Sequence, residues 1–292
     1  MPPRKSQIRF RRVRTFQSCQ TDLRCTANAG GTRENQGRRA TSLITMPDAR
    51  ERGLPGVVSY VRRSPRMNPG QQRTLVRLAS RYLIEVPRGD LSTSLASDAQ
   101  VHWDVEFGHP TGTADSPVFV EIGSGTGDAL LACALAHPEA NVIGFEVYER
   151  AVASTMSKLA AAGVSNVRLM TVDAVQALDQ LFAPASITRL SVFFPDPWPK
   201  KRHHKRRLVS PAFAELVVSR LAVGGQWWLA TDWPDYAEQM REVLDATVGL
   251  VNDYPAAGGW APRPAERPIT KFEQRGLASG RPVLDLAYRR IS

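Results

Sequence analysis

The sequence is poor in cysteine. Of 292 residues only Cys19, Cys25 and Cys133 are cysteines, and no CxxC pair occurs. An odd number without paired spacing argues against a disulfide framework or a zinc site and points to a reducing, cytoplasmic compartment. Cys133 lies inside the apolar stretch ALLACALA and reads as core filling. Long hydrophobic runs are missing as well. No stretch of eighteen apolar residues exists, so no transmembrane helix and no membrane partner is expected. The first twenty residues carry six cations, Arg4, Lys5, Arg9, Arg11, Arg12 and Arg14, with no apolar segment behind them, which does not support a secretory signal. The adjacent His203 and His204 lack ligand partners at useful spacing, so no metal is assigned. No internal repeat is visible.

What the chain does have is positive charge, +10 in all. Residues 1–60 contribute +8 of it and the remainder +2. Such an excess favours an anionic partner, nucleic acid or membrane surface, without choosing between them. Residues 1–56 are rich in Arg, Gly, Thr, Asn and Gln and show no apolar period. They are expected to be a disordered basic tail, an unstructured leader with Met46 as an alternative start, and residues 57–292 a single folded domain.

Within that domain, 71–86 has the pattern of an amphipathic helix, followed by a loop rich in Gly, Ser, Asp and Pro. A regular alternation then begins. Strands are expected at 118–122, 141–147, 167–172, 189–195, 224–232 and 283–290, and helices at 128–138, 149–162, 174–182, 211–221 and 234–246. Strands alternating with helices imply an α/β fold: a Rossmann-like, doubly wound, mostly parallel seven-stranded sheet with helices on both faces.

The sharpest motif is VEIGSGTGD, which places Glu121, Gly123, Gly125 and Gly127 at the first strand-to-helix turn. Glycines there permit positive φ and close approach of a ligand. In the dinucleotide fingerprint GxGxxG the third glycine would fall at Asp128, so a nicotinamide-dependent oxidoreductase is disfavoured. The spacing ExGxGxG resembles instead the nucleoside-binding loop of class I methyltransferases. An acid in the turn suits a cofactor with a cationic amino-acid moiety and suits a pyrophosphate poorly. Glu146, at the end of the next strand, is placed to accept from two ribose hydroxyls, or to pair with Arg150 at i,i+4. Asp173, at the end of the third strand, is placed to take an adenine amine, or to cap its own helix.

After the fourth strand comes FFPDPWPKKRHHKRRLV. Two prolines fix the backbone around Asp196, and Trp198 offers a plane for stacking on a base. Lys200, Lys201, Arg202, Lys205, Arg206 and Arg207 follow within eight residues, a dense phosphate-binding patch. Charge alone would suit a solvated loop. Joined to a rigid Pro-Asp-Pro-Trp element at a strand end, it reads as an RNA-facing lip. The dense run argues against a small-molecule substrate, and the intact acids at three strand ends argue against a non-catalytic RNA-binding relic.

Taken together, VEIGSGTG, GFEV, FFPDPWPKKRHHKRR, ATDW and RPITKFEQRG resemble the bacterial tRNA (guanine-N7-)-methyltransferase family, from about residue 60 to the C-terminus. The resemblance implies a class I methyltransferase fold, S-adenosyl-L-methionine as cofactor and tRNA as partner, methylated at N7 of the guanosine at position 46 by a monomer or homodimer. It implies cofactor contacts from Glu121, Gly123, Gly125, Gly127, Glu146, Asp173 and Asp196, with Asp196 also the catalytic residue. It implies substrate contacts from Lys200, Asp232, Thr270, Lys271, Phe272 and Glu273, and tRNA contacts from Arg202, Lys205, Arg206 and Arg207. On local pattern alone Asp232 reads equally as a helix N-cap and 270–273 as an edge turn. The chain departs from the family at 251–266, VNDYPAAGGWAPRPAE.

Overall fold

The computed structural model describes residues 67–278 and 280–292, and among these the side chains of Lys271, Phe272 and Arg275 are left undescribed. The expected tail, residues 1–56, and the start of the domain at 57 lie outside the described residues.

The first helix, α1 (Pro69–Tyr82), opens on a reciprocal cap. Asn68 accepts from the Gln71 amide at 2.8 Å and the Gln71 side chain accepts from the Asn68 amide at 3.1 Å, with Pro69 in the first turn. The apolar period of 71–86 misled at its far end. Leu83 leaves the helix in extended geometry and bridges Leu169, and the Ile84 amide donates to the Leu169 carbonyl. An apolar run reads the same whether it continues a helix or docks beside a strand. The loop that follows holds a short helix, α2 (Trp103–Phe107), whose Trp103 ring packs on Phe182 and donates to the Leu181 carbonyl.

The alternation then runs β1 (Val118–Ile122), α3 (Asp128–Ala136), β2 (Asn141–Phe145), α4 (Glu149–Ala161), β3 (Val167–Met170), α5 (Ala174–Leu181) and β4 (Ile187–Phe193). A 3₁₀ segment (Lys201–Arg206), α6 (Pro211–Arg220), β5 (Leu221–Thr231), α7 (Pro234–Asp245), β6 (Leu250–Asn252), α8 (Lys271–Ala278) and β7 (Leu284–Arg290) complete it. All expected strands and helices from 118 to 246 are present, with ends shifted by up to three residues. β6 and α8 are additions. β6 is three residues long and half-exposed, so it carries no apolar run to read.

The strands form one sheet in the order β3-β2-β1-β4-β5-β7-β6, parallel except where β7 enters antiparallel between β5 and β6. β1 and β2 are buried along their whole length, which explains their mostly apolar character, with Glu121 and Asn141 the buried polar exceptions. One face packs Val120, Leu190, Val192, Trp227, Leu229 and Tyr288 against α5, α6 and α7. The opposite face packs Phe119, Val142 and Leu169 against α1, α3 and α4. The chain winds one way from β1 to β2 and the other way to β4. That reversal opens a crevice beyond the carboxyl ends of β1 and β4.

Gly127 closes the turn from β1 into α3 at φ 76°, and a Cβ there would lie 2.3 Å from Thr155 Cγ2 of α4. The Thr155 hydroxyl donates to the Gly125 carbonyl at 3.2 Å, so α4 and the turn are in direct contact. Gly127→Ala combines left-handed strain with a clash and is expected to cost about 2–4 kcal/mol in urea unfolding. Adding Thr155→Ala should recover part of that loss, because the two shortest contacts go while the 2.8 Å contact with the residue 155 Cβ and the backbone strain remain.

Candidate active site at the strand ends

Gly123, Gly125 and Gly127 all adopt positive φ, at 74°, 53° and 76°. The Gly123 and Ser124 amides both donate to the Phe145 carbonyl, at 2.8 and 3.1 Å, which ties the turn to the end of β2. The buried Ser124 hydroxyl has no protein partner among the described residues, an unmet polar group inside the cradle. Glu146, just past β2, accepts from the Gly125 amide at 2.9 Å and the Tyr148 amide at 2.8 Å. Its carboxylate is thus turned to the glycine turn rather than to Arg150. Each of its oxygens keeps a further acceptor direction. Burial raises its pKa, and the amides of Tyr148, Gly125 and Val147 oppose that shift.

Glu121 is buried in β1 and forms no ion pair among the described residues. Burial pushes its pKa up to about 8, helped by repulsion from Asp128 and Glu146. Asp128, at the first turn of α3, is held by Lys158 at 2.6 Å and by the Thr126 hydroxyl at 2.8 Å.

Asp173 caps α5, accepting from the Val175 and Gln176 amides at 3.0 and 3.1 Å, and is 1% exposed. The capping alternative is therefore what the geometry displays. The loop 88–95 wraps this end of β3, which the sequence did not signal beyond a polar composition. The Asp173 amide donates to the Thr93 carbonyl at 2.7 Å, and Arg88 reaches the Thr171 carbonyl at 2.7 Å and its hydroxyl at 2.6 Å.

At the exit of β4, Phe194 (φ 54°) and Trp198 (φ 43°) bracket the exposed Asp196. Left-handed backbone at bulky residues costs of order 1–3 kcal/mol each and persists only where the surroundings enforce it. Here Pro195 and Pro197 restrict the intervening backbone, and the Phe194 amide is held by the Ala230 carbonyl at 2.8 Å.

The basic run that follows is a 3₁₀ helix, which sorts its side chains into three rows. His203 and Arg206 share one row and hold Trp198, edge-on at 6.0 Å and cation-on-face at 5.1 Å. Partial desolvation, then the charges of Arg206, Arg202, Lys200 and Lys205, hold the His203 pKa below its usual value. Arg202 and Lys205 share the exposed row. Arg207 lies just past the segment, in extended backbone, and turns inward. The sequence reading grouped it with the RNA-facing cations, and the structure corrects this: its side chain is 1% exposed, pairs with Asp235, donates to the Pro197 carbonyl at 2.9 Å and lies over Tyr236. It props the Pro-Asp-Pro-Trp element from behind.

The last part of the site comes from α8 and the wall before it. Thr270 starts a helix rather than an edge turn, its hydroxyl accepting from the Glu273 amide at 3.2 Å. Asp232 is not a helix cap. It pairs with Arg281 at 3.0 Å and faces Gly276 of α8, where a Cβ would come within 3.1 Å of its Oδ2. Glu273, expected to touch substrate, points inward instead. It is 2% exposed, with Oε1 taken by Arg263 at 3.1 Å and Oε2 by Arg267 at 3.2 Å. Arg267 also grips Asp285 of β7 with Nη2, at 2.9 and 3.0 Å. Burial pushes the Asp285 pKa up to about 6, with Arg267 opposing and Glu273 adding to the rise. The side chains of Lys271 and Phe272 lie outside the described residues. The divergent loop 251–266 supplies β6, a bridge from Ala261 to Asp285, and Glu266, which pairs with Arg189 and with His137 at 2.9 Å. These walls border a recess lined by Glu121, Arg189, Phe193, Trp228, Glu266 and Arg267.

A glycine cradle between buried acids at a strand-order reversal is the arrangement of a nucleoside-binding α/β enzyme. Residues 115–286 match the family described as "Putative methyltransferase". The chain is 52% identical over 236 residues, 81% of its length and 84% of the relative's, to the tRNA (guanine-N(7)-)-methyltransferase of Cutibacterium acnes. It is 45% identical to the protein of that name from Nocardioides sp., covering 82% of this chain and 89% of the relative. It is 43% identical to that of Thiobacillus denitrificans, covering 81% and 96%. The chain belongs to the tRNA (guanine-N(7)-)-methyltransferase family.

Glu121 carries a pH signature. An acid whose folded pKa exceeds its unfolded value contributes stability below the unfolded pKa and loses it as pH rises through the folded one. Between about pH 4.5 and 8, ionised Glu121 therefore weighs increasingly against the ligand-free fold. Glu121→Gln, which mimics the protonated acid, should leave thermal stability near that of the parent at pH 5 and raise it at pH 8. A gain that does not grow with pH would contradict the burial of an unpaired acid.

Proposed function

We propose that this chain transfers the methyl group of S-adenosyl-L-methionine to N7 of a guanine in tRNA, at the guanosine of position 46 in the variable loop, in the cytoplasm. The observation that carries the reading is the joining, at the ends of β1, β2 and β4, of an acid-flanked glycine cradle to a strained Pro-Asp-Pro-Trp element with a cationic lip. The residues suit the cofactor. Glu121 is a buried acid with no ion pair among the described residues, Ser124 offers an unmet hydroxyl, and Glu146 keeps acceptor capacity for ribose hydroxyls. Gly123, Gly125 and Gly127 let the backbone approach, and Asp173 and Asp196 bound the two ends. When bound, the sulfonium supplies an electrophilic methyl group.

Guanine N7 carries a lone pair and no proton, so no strong general base is needed. The protein's work is alignment and removal of water. Trp198, braced by His203 and Arg206, gives a flat surface beside the acid. Asp196, held by strained backbone, stabilises the positive charge that develops on the purine and holds its amino or imino edge. Lys200, Asp232 and the start of α8 at Thr270 to Lys271 and Phe272 flank the acceptor, with Glu273 anchoring that segment from inside. Arg202, Lys205 and Arg206 grip phosphates.

The direct test incubates purified protein with labelled cofactor and tRNA lacking the modification, then maps the methylated nucleotide. Label at any nucleotide other than guanosine 46 would overturn the positional part of the reading. Asp196→Asn is expected to lower single-turnover methylation by at least about tenfold while cofactor affinity changes little. Replacing Arg202 and Lys205 by Ala should reduce the salt dependence of tRNA binding by about one per cation removed. Arg207→Ala should instead lower the melting temperature and leave that slope in place.

A further inference from the structure

We infer that Arg267 is a positioning residue that holds the two sides of the reaction site in register, a role that rests on the reading of Asp196 and the start of α8 as flanking the acceptor base. Its guanidinium touches three separate elements. It lies over the rings of Phe193 and Phe194, at 5.3 and 5.4 Å, the last residue of β4 and the strained residue that opens the Pro-Asp-Pro-Trp element. Nη1 reaches Glu273 in the first turn of α8, and Nη2 takes both oxygens of Asp285 in β7. Phe194 is two residues from Asp196, and Glu273 is three from Thr270. One planar, always-charged group thus spans from the catalytic acid's support to the helix that carries the substrate segment.

The neighbour in sequence reinforces the point. Glu266 is fastened to Arg189 and to the His137 ring, while Arg267 is fastened to Glu273 and Asp285. Two successive residues of opposite sign clip the wall to the sheet in one orientation. Burying such a cluster is seldom the most stabilising solution, since apolar packing of the same volume does as well or better. Arg267 even retains a buried Nε–H without a protein acceptor among the described residues. What the cluster supplies is geometry: a fork that satisfies two acids in fixed directions and stacks on two rings, which lysine's point charge does not reproduce.

The test uses the full-length protein with unmodified tRNA. Arg267→Lys keeps a buried cation, so the fold should survive, and kcat per cofactor-binding site is expected to fall about tenfold, with the cofactor Kd and the KM for tRNA within about twofold. A merely structural role would lower the number of sites that bind cofactor and leave the turnover of each intact, and that outcome overturns the inference. Arg263→Gln, at the half-exposed partner of the same Glu273 carboxylate, should lower kcat in the same pattern and serves if the Lys variant does not fold; unchanged turnover there counts against the inference. Combining Arg267→Lys with Glu273→Gln should do little more than the worse single change, because both release the same helix. Multiplicative losses would overturn the role of Arg267 alone. An inert Glu273→Gln beside an impaired Asp196→Asn would overturn instead the assignment of α8 to the substrate side, and the inference with it.

Discussion

An acid buried at the end of β1, with no cation paired to it among the described residues, is the constraint around which the rest of the site is arranged. Glu121 lies within a sheet strand, near two further carboxylates, in surroundings that favour its neutral form. A positively charged ligand reverses that preference, because an opposite charge at close range favours ionisation. A positive charge on a ligand placed beside Glu121 would therefore stabilise its carboxylate. The glycine turn adds close backbone approach, and the strand-order reversal supplies the space. Each would be a commonplace of α/β sheets in isolation.

Most of the scaffold was legible because it obeys local rules. β1 and β2 are short, mostly apolar runs buried on both faces, and the helices that follow the strands are bounded by Gly, Pro and Asp. The glycine turn, Glu146 and Asp196 were legible for the same reason: each sits at a strand end whose position the alternation fixes. Partners distant in sequence were not. Nothing local distinguishes Arg207, which faces Asp235 and Tyr236, from Arg206, which faces Trp198. Glu273 looked available until the arginines on either side of it were placed in space. Arg267 and Asp285 carried no signal of their own, because their meaning is a contact made across eighteen residues. The loop 88–95 likewise becomes part of the site only through its bonds to the end of β3.

The two halves of the site differ in how they are held. The cofactor side is fixed by main chain: amides of the glycine turn bonded to Phe145 and Glu146. The side at the exit of β4 is fixed by charge: Arg207 behind the Pro-Asp-Pro-Trp element, Arg263 and Arg267 around Glu273, Arg281 on Asp232. Main-chain ties constrain the sequence loosely, whereas interlocking ion pairs demand particular residues at several distant positions at once.

The threefold pitch of the Lys201–Arg206 segment has a corollary for how this stretch tolerates change. Every third position faces the same way, so exchanging Lys for Arg along the outward row preserves the pattern of charge. Inserting or deleting a single residue rotates everything beyond it by about 120°, turning the buried guanidinium to solvent and a solvated one into the interior. The length of this segment should therefore be far less variable than its composition, and a frameshift repaired within it would spoil both the support behind Trp198 and the outward cationic edge together.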